Sequence, residues 1–150
     1  MRKFLLGLVG CVVLAFGILQ VIPVERSNPP VEEVVEAPPA AMAVLRRACW
    51  DCHSNETVWP WYAWVAPVSW TVSNDVVVAR SKMNFSTWNR YDADHRAHLL
   101  HEIVEETEEG EMPLPIYLPM HPEAELTPDD LTALRSWVAA AAPPEGVEHE

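Results

Sequence analysis

Cys49-Trp50-Asp51-Cys52-His53 is the stretch on which the reading of this chain turns. Two cysteines stand three residues apart, and a histidine follows directly. Thiols at that spacing reach the two vinyl groups of one haem and close thioethers. The next histidine then lies under the iron as an axial ligand. With three cysteines and six histidines in 150 residues, chance supplies about 0.002 such matches. Two other chemistries compete for the motif. A thioredoxin-like dithiol also uses C-x-x-C, but at a helix start in an α/β fold; here the motif follows a helix, and no parallel-sheet pattern is present. A zinc site needs four ligands. Cys49, Cys52 and His53 would have to recruit a distant histidine, because the chain has no second cysteine pair. One covalent haem c is the expected cofactor.

A second axial ligand would complete six-coordination, and methionine or histidine serves. Met112 is the leading candidate. It lies just past an expected helix end, Pro113 stiffens its loop, and a C-terminal helix follows. Met120 and His121 share the same irregular segment and compete with it. Met83 is a weaker rival. A methionine by itself is more often core packing. Seven tryptophans are many for a core of this size. Trp59, Trp61, Trp64 and Trp70 either line a haem crevice or form ordinary core, and an indole N–H is a suitable donor to a haem propionate.

Around the motif the chain reads as helices and loops. Pro39 opens a short helix whose Met42, Leu45 and Cys49 fall on one stripe. Pro67 to Arg80 forms a second, although Asp75-Val76-Val77-Val78 fits helix or strand. Ser86 is an expected cap for a turn through Trp88. Asp92 or Asp94 opens a helix that ends near Gly110, with Leu99, Leu100, Ile103 and Thr107 as its buried side. Thr127-Pro128-Asp129-Asp130 is a strong helix start: a capping residue, a first-turn proline and acids on the dipole. Leu131, Leu134, Trp137 and Val138 are its apolar face. Alternation of apolar and polar residues is lacking. The expected fold class is all-α, a cytochrome c-like helical domain around one haem.

The N-terminus has a separate character. After Met1-Arg2-Lys3, Phe4 to Ile22 holds no charge and just spans a hydrocarbon core. The basic start keeps that end cytoplasmic and sends the rest outside. A cleavage site of small residues is missing near Val21-Ile22-Pro23-Val24. Leu8-Val9-Gly10-Cys11 resembles a lipoprotein signal, but the apolar run before Cys11 is short and the one after it long. The expected organisation is an uncleaved anchor over residues 1–24, a solvated Pro/Glu-rich tether over 25–40, a haem-binding domain over 41–142 and a disordered acidic tail over 143–150. Residues 27–150 carry 21 acids against 7 bases, within a whole-chain net charge of −12. Nucleic acid is therefore excluded as a partner. His95, His98 and His101 drift around a helix among charged neighbours and read as solvated, with a metal or proton site the alternative. Glu102, Glu105, Glu106, Glu108, Glu109 and Glu111 run up to Met112, where they would steer a basic redox partner.

Several stretches together carry a resemblance. They are Ile22-Pro23 with Arg26-Ser27-Asn28-Pro29-Pro30, Cys49 to Thr57, Trp59-Pro60-Trp61-Tyr62, Ala66-Pro67-Val68-Ser69-Trp70, Asn84-Phe85-Ser86, Gly110-Glu111-Met112-Pro113 and His121-Pro122. From about Gln20 to Ala140 the chain resembles the haem-binding domain family of membrane-anchored, c-type-cytochrome-like proteins. One departure is visible: Leu114 separates Pro113 from Pro115, where the family often has a second proline directly. The resemblance implies a helical cytochrome c fold, haem c on Cys49, Cys52 and His53, and Met112 on the iron's other side. The expectation is a membrane-anchored electron carrier at the periplasmic face of the inner membrane, not an enzyme. Membrane lipid around residues 4–22 and redox proteins are its expected partners. The alternatives are a haem sensor or peroxidase-like enzyme with an open iron site, and a thiol oxidoreductase on Cys49 and Cys52.

Overall fold

The computed structural model describes residues 1–141. The 143–150 tail, and with it His149, lies outside the described residues, as does residue 142 at the end of the expected domain. The fold is all-α. Helix α1 spans Arg2–Leu19, α2 Pro39–Ala48, α3 Trp50–His53, α4 Val68–Lys82, α5 Ala93–Glu109 and α6 Pro128–Ala141. Short 3₁₀ turns fall between them. No strand occurs among the described residues; one isolated parallel bridge joins Glu33 to Thr87.

Each helix boundary has a local cause. Pro39 sits at the first turn of α2, where its missing N–H costs nothing. The Asp92 side chain accepts from the His95 backbone N–H at 2.8 Å and so caps α5. At the other end of α5, Gly110 takes φ +74°, and its N–H bonds the Glu106 carbonyl. In α6, Thr127 and Asp130 form a reciprocal box, Asp130 accepting from the Thr127 N–H at 2.8 Å and Thr127 Oγ1 from the Asp130 N–H at 3.2 Å. The ambiguous valine run Val76–Val78 is helical, inside α4.

The core gathers one face of α2, α5 and α6, with Trp50 of α3. Val44 and Leu45 of α2 meet Leu99, Leu100 and Ile103 of α5 and Leu134 and Trp137 of α6. Trp50 joins them, stacked on Phe85 at 5.4 Å. Helix α6 packs on α5 and on α2, and an Arg47–Asp130 pair at 2.7 Å ties its start to α2.

Two expectations are corrected here. Residues 25–40 are not a solvated tether. Val35 is 2% exposed within the core. The N–H groups of Glu32 and Val35 bond the carbonyls of Ser86 and Phe85, and the Trp88 N–H bonds that of Glu33. Its composition is that of a linker, but Val34 and Val35 packed on the core and backbone bonds to residues 85–88 seat it. Arg26 to Pro30 is bound as well. Arg80 donates to the Ser27 carbonyl and to Asn28 Oδ1, while Asn55 Nδ2 donates to the Pro30 carbonyl at 2.8 Å. The second correction concerns Ser86. The turn at Trp88 begins from Thr87, and Ser86 Oγ accepts from the Asn55 N–H at 2.9 Å instead.

Candidate functional site

The C-x-x-C-H residues occupy the junction of α2 and α3. Cys49 is the residue between the two helices, and its carbonyl accepts the His53 N–H at 2.9 Å. One turn thus carries both sulfurs and the imidazole. The turn is fixed from outside by the Phe85 N–H, which donates to the His53 carbonyl at 2.7 Å.

The His53 ring is oriented by a second contact. Its Nδ1 lies 3.1 Å from the Met83 carbonyl. A carbonyl can only accept, so Nδ1 carries the proton and Nε2 keeps its lone pair for a metal. Burial holds the ring below its ordinary pKa, against the pull of the Met83 and Ala79 carbonyls. The neutral imidazole that iron needs is therefore the favoured form at neutral pH. Burial also pushes both thiols up, Cys49 to about 12 and Cys52 to about 11. A redox-active dithiol needs a lowered thiol pKa, so these surroundings oppose thiol–disulfide chemistry. Among the described residues no cluster of three or more His, Cys, Asp or Glu could hold a metal ion. The zinc reading and the His95, His98 and His101 alternative lose their support. Those three histidines are exposed, with His98 beside Glu102 at 3.3 Å.

A polar aromatic group stands beside Cys52. Tyr117 stacks on His121 at 4.0 Å with the planes 7° apart. The Tyr62 hydroxyl and His121 Nε2 are 2.7 Å apart and share a hydrogen bond, while His121 Nδ1 donates to Glu123 at 3.0 Å. The Tyr117 hydroxyl reaches toward Asp51 at 3.5 Å. Burial raises the pKa of both phenols, and the charges of Asp51 and Cys52 add to it. Sequence reasoning missed this group. Tyr62 lies inside the quoted Trp59–Tyr62 stretch, but nothing in the sequence marks Tyr117.

The four candidates for a second iron ligand separate by environment. Met83 packs against the core cluster and closes α4. His121 is hydrogen-bonded at both ring nitrogens. Met120 is 53% exposed on a 3₁₀ turn. Met112 is half-buried outside the core cluster, and its N–H is held by the Glu106 carbonyl at 3.1 Å, just past Gly110. The four tryptophans also divide. Trp61 and Trp64 are exposed. Trp59 and Trp70 each bury an indole N–H that has no hydrogen-bond partner. An unmade buried donor costs about 1–3 kcal/mol. A propionate carboxylate is an acceptor of the right kind, so these residues fit a haem.

A small helical protein that presents two cysteines and an oriented histidine from one turn is what the fold and this geometry define. A family model described as a haem-binding domain matches residues 14–140. The chain belongs to that family and is a haem-binding protein. Comparison with curated proteins and with solved structures found no match.

Proposed function

We propose that the protein is a membrane-anchored monohaem c-type cytochrome that passes single electrons at the outer, periplasmic side of the inner membrane. The observation that carries this reading is the His53 Nδ1–Met83 carbonyl bond inside a C-x-x-C-H turn. It leaves the other ring nitrogen unprotonated, with a lone pair able to bind a metal. Cys49 and Cys52 would attach haem c as thioethers, and His53 and Met112 would be the axial ligands. Haem so held supplies a one-electron redox centre. The residues do the rest: His53 stays neutral and oriented, Met112 is presented from a clamped loop, and the half-buried Trp59 and Trp70 offer their unpartnered indole N–H groups. No bond-making step on a substrate is required. Helix α1, with mean hydropathy 2.0 and no buried residue, is long and apolar enough to cross a membrane. Arg2 and Lys3 at its start favour a body outside. The acidic face of α5 ends beside Met112 and suits a redox partner with a basic surface.

The test is an absorption spectrum of the chain exported from a host that matures c-type haem. A low-spin spectrum is expected, with the weak far-red ferric band of iron bound by sulfur. Met112→Ala loses that band and Met120→Ala keeps it. A high-spin spectrum that shifts readily with carbon monoxide would replace the carrier by a sensor or enzyme with open iron.

A further inference from the structure

The end of α1 is stapled to the body. Gln20, one residue past the helix, uses both ends of its side-chain amide on Ala66: Oε1 accepts the Ala66 N–H at 2.9 Å and Nε2 donates to its carbonyl at 3.3 Å. Six residues on, Arg26 donates to the Ala63 carbonyl at 3.1 Å and lays its guanidinium over the Trp64 ring at 4.2 Å. The 3₁₀ turn Trp61–Trp64 is therefore held at the level where the apolar helix stops. Its side chains there are apolar and uncovered. Trp61 is 70% and Trp64 60% exposed, with Val65 and Val68 exposed beside them. Exposed apolar residues scattered singly are normal; four clustered beside a membrane-length helix are not scattered. Charge gives an independent indication. In a body with 21 acids, no charged residue occurs between Glu56 and Asp75. The uncharged stretch and the exposed patch coincide. Tryptophan favours the headgroup level of a bilayer, where its ring is half in hydrocarbon and its N–H is wet.

We propose that Trp61, Trp64, Val65 and Val68 are a docking face for the phospholipid interface, holding the haem-binding body flat against the bilayer in one orientation. This rests on reading α1 as a membrane anchor. The segment so presented, residues 57–74, carries no carboxylate, and the charge laid over it is the Arg26 cation.

The experiment uses the full haem-loaded chain in phosphatidylcholine nanodiscs containing a phosphatidylcholine with a diazirine high on its acyl chain. Irradiation is followed by digestion and mass spectrometry. Adducts are expected in the anchor and in residues 61–68 of the body. Trp61→Glu with Trp64→Glu removes most body adducts and keeps those in the anchor, with an unchanged haem spectrum as the check on folding. Should that pair not fold, Val68→Glu is the second variant, and it also lowers body adducts several-fold. Adducts confined to the anchor overturn the docking face and leave the anchor standing. Body adducts without anchor adducts support docking and overturn the anchor. Adducts in neither overturn both. Undiminished body labelling in a folded variant overturns the assignment to these residues.

Discussion

Arg80 joins the residues that follow α1 to the end of the Cys49–His53 turn, and its removal has a calculable cost. Its guanidinium donates to the Ser54 carbonyl at 2.7 Å, the Ser27 carbonyl at 2.9 Å, Asn28 Oδ1 at 2.9 Å and Thr57 Oγ1 at 2.8 Å. Arg80→Met keeps the stem and removes every donor. The bonds to Ser54 and Thr57 are partly buried, and losing a charged donor to such a group costs about 1.5–3 kcal/mol. The bonds to Ser27 and Asn28 are exposed; water replaces them, at about 0–1 kcal/mol each. Burial holds the guanidinium below its ordinary pKa, so deleting the charge recovers part of its desolvation. The net expectation is a loss of about 2–4 kcal/mol, a large share of the stability of an ordinary domain. For a body of this size that lowers Tm by about 8–16 °C, read from haem absorbance during heating in mild detergent. Arg80→Lys recovers little, because an ammonium cannot span four acceptors in a planar fork. A drop below about 3 °C for Arg80→Met would refute the reasoning and reduce the four bonds to surface decoration.

Two further outcomes follow from the site and its frame. Burial raises the Asp130 pKa, but the Thr127 N–H and hydroxyl and the Arg47 guanidinium outweigh it and hold it below its ordinary value. A depressed carboxylate contributes stability above its unfolded pKa and loses it as pH falls through its folded one. Asp130→Asn should therefore cost about 1–2 kcal/mol at pH 7 and nothing once both states are protonated near pH 2, as urea titrations at the two pH values would reveal. Covalent attachment predicts that a thiol reagent added to the denatured haem-loaded chain modifies Cys11 alone; three modified cysteines would sink the thioethers.

What the sequence revealed and what it hid divide along a physical line. Helix ends were legible where one residue type does one job: Asp92 or Asp94 as a cap, of which Asp92 serves, Gly110 at positive φ, Thr127-Pro128 as a start. The C-x-x-C-H motif was conspicuous because haem c attachment requires fixed spacing. The fate of residues 25–40 was not. Proline and glutamate signal a linker by average, whereas the segment is seated by Val35 and by backbone bonds to residues 85–88, which no composition records. The orientation of His53 was equally hidden, because its partner is a main-chain carbonyl and any residue at position 83 would supply one. In the sequence Arg80 only marks the expected end of a helix. Its four acceptors come from residues 23 to 53 positions away, and only the fold brings them together.

The packing of the segment after α1 also sets a leash length. Gln20 is bonded to Ala66, and the Glu25 carbonyl accepts from Ser73 Oγ at 2.6 Å. Only residues 21–24 separate those two attachments. With the Gln20 amide released, the five residues 20–24 extend to about 18 Å at most. On the proposed reading of α1 as an anchor, the body would not travel out to meet a distant acceptor. An electron acceptor would come to the bilayer surface or diffuse within it, and residues 20–24 would be the short stretch in which a protease frees the body intact.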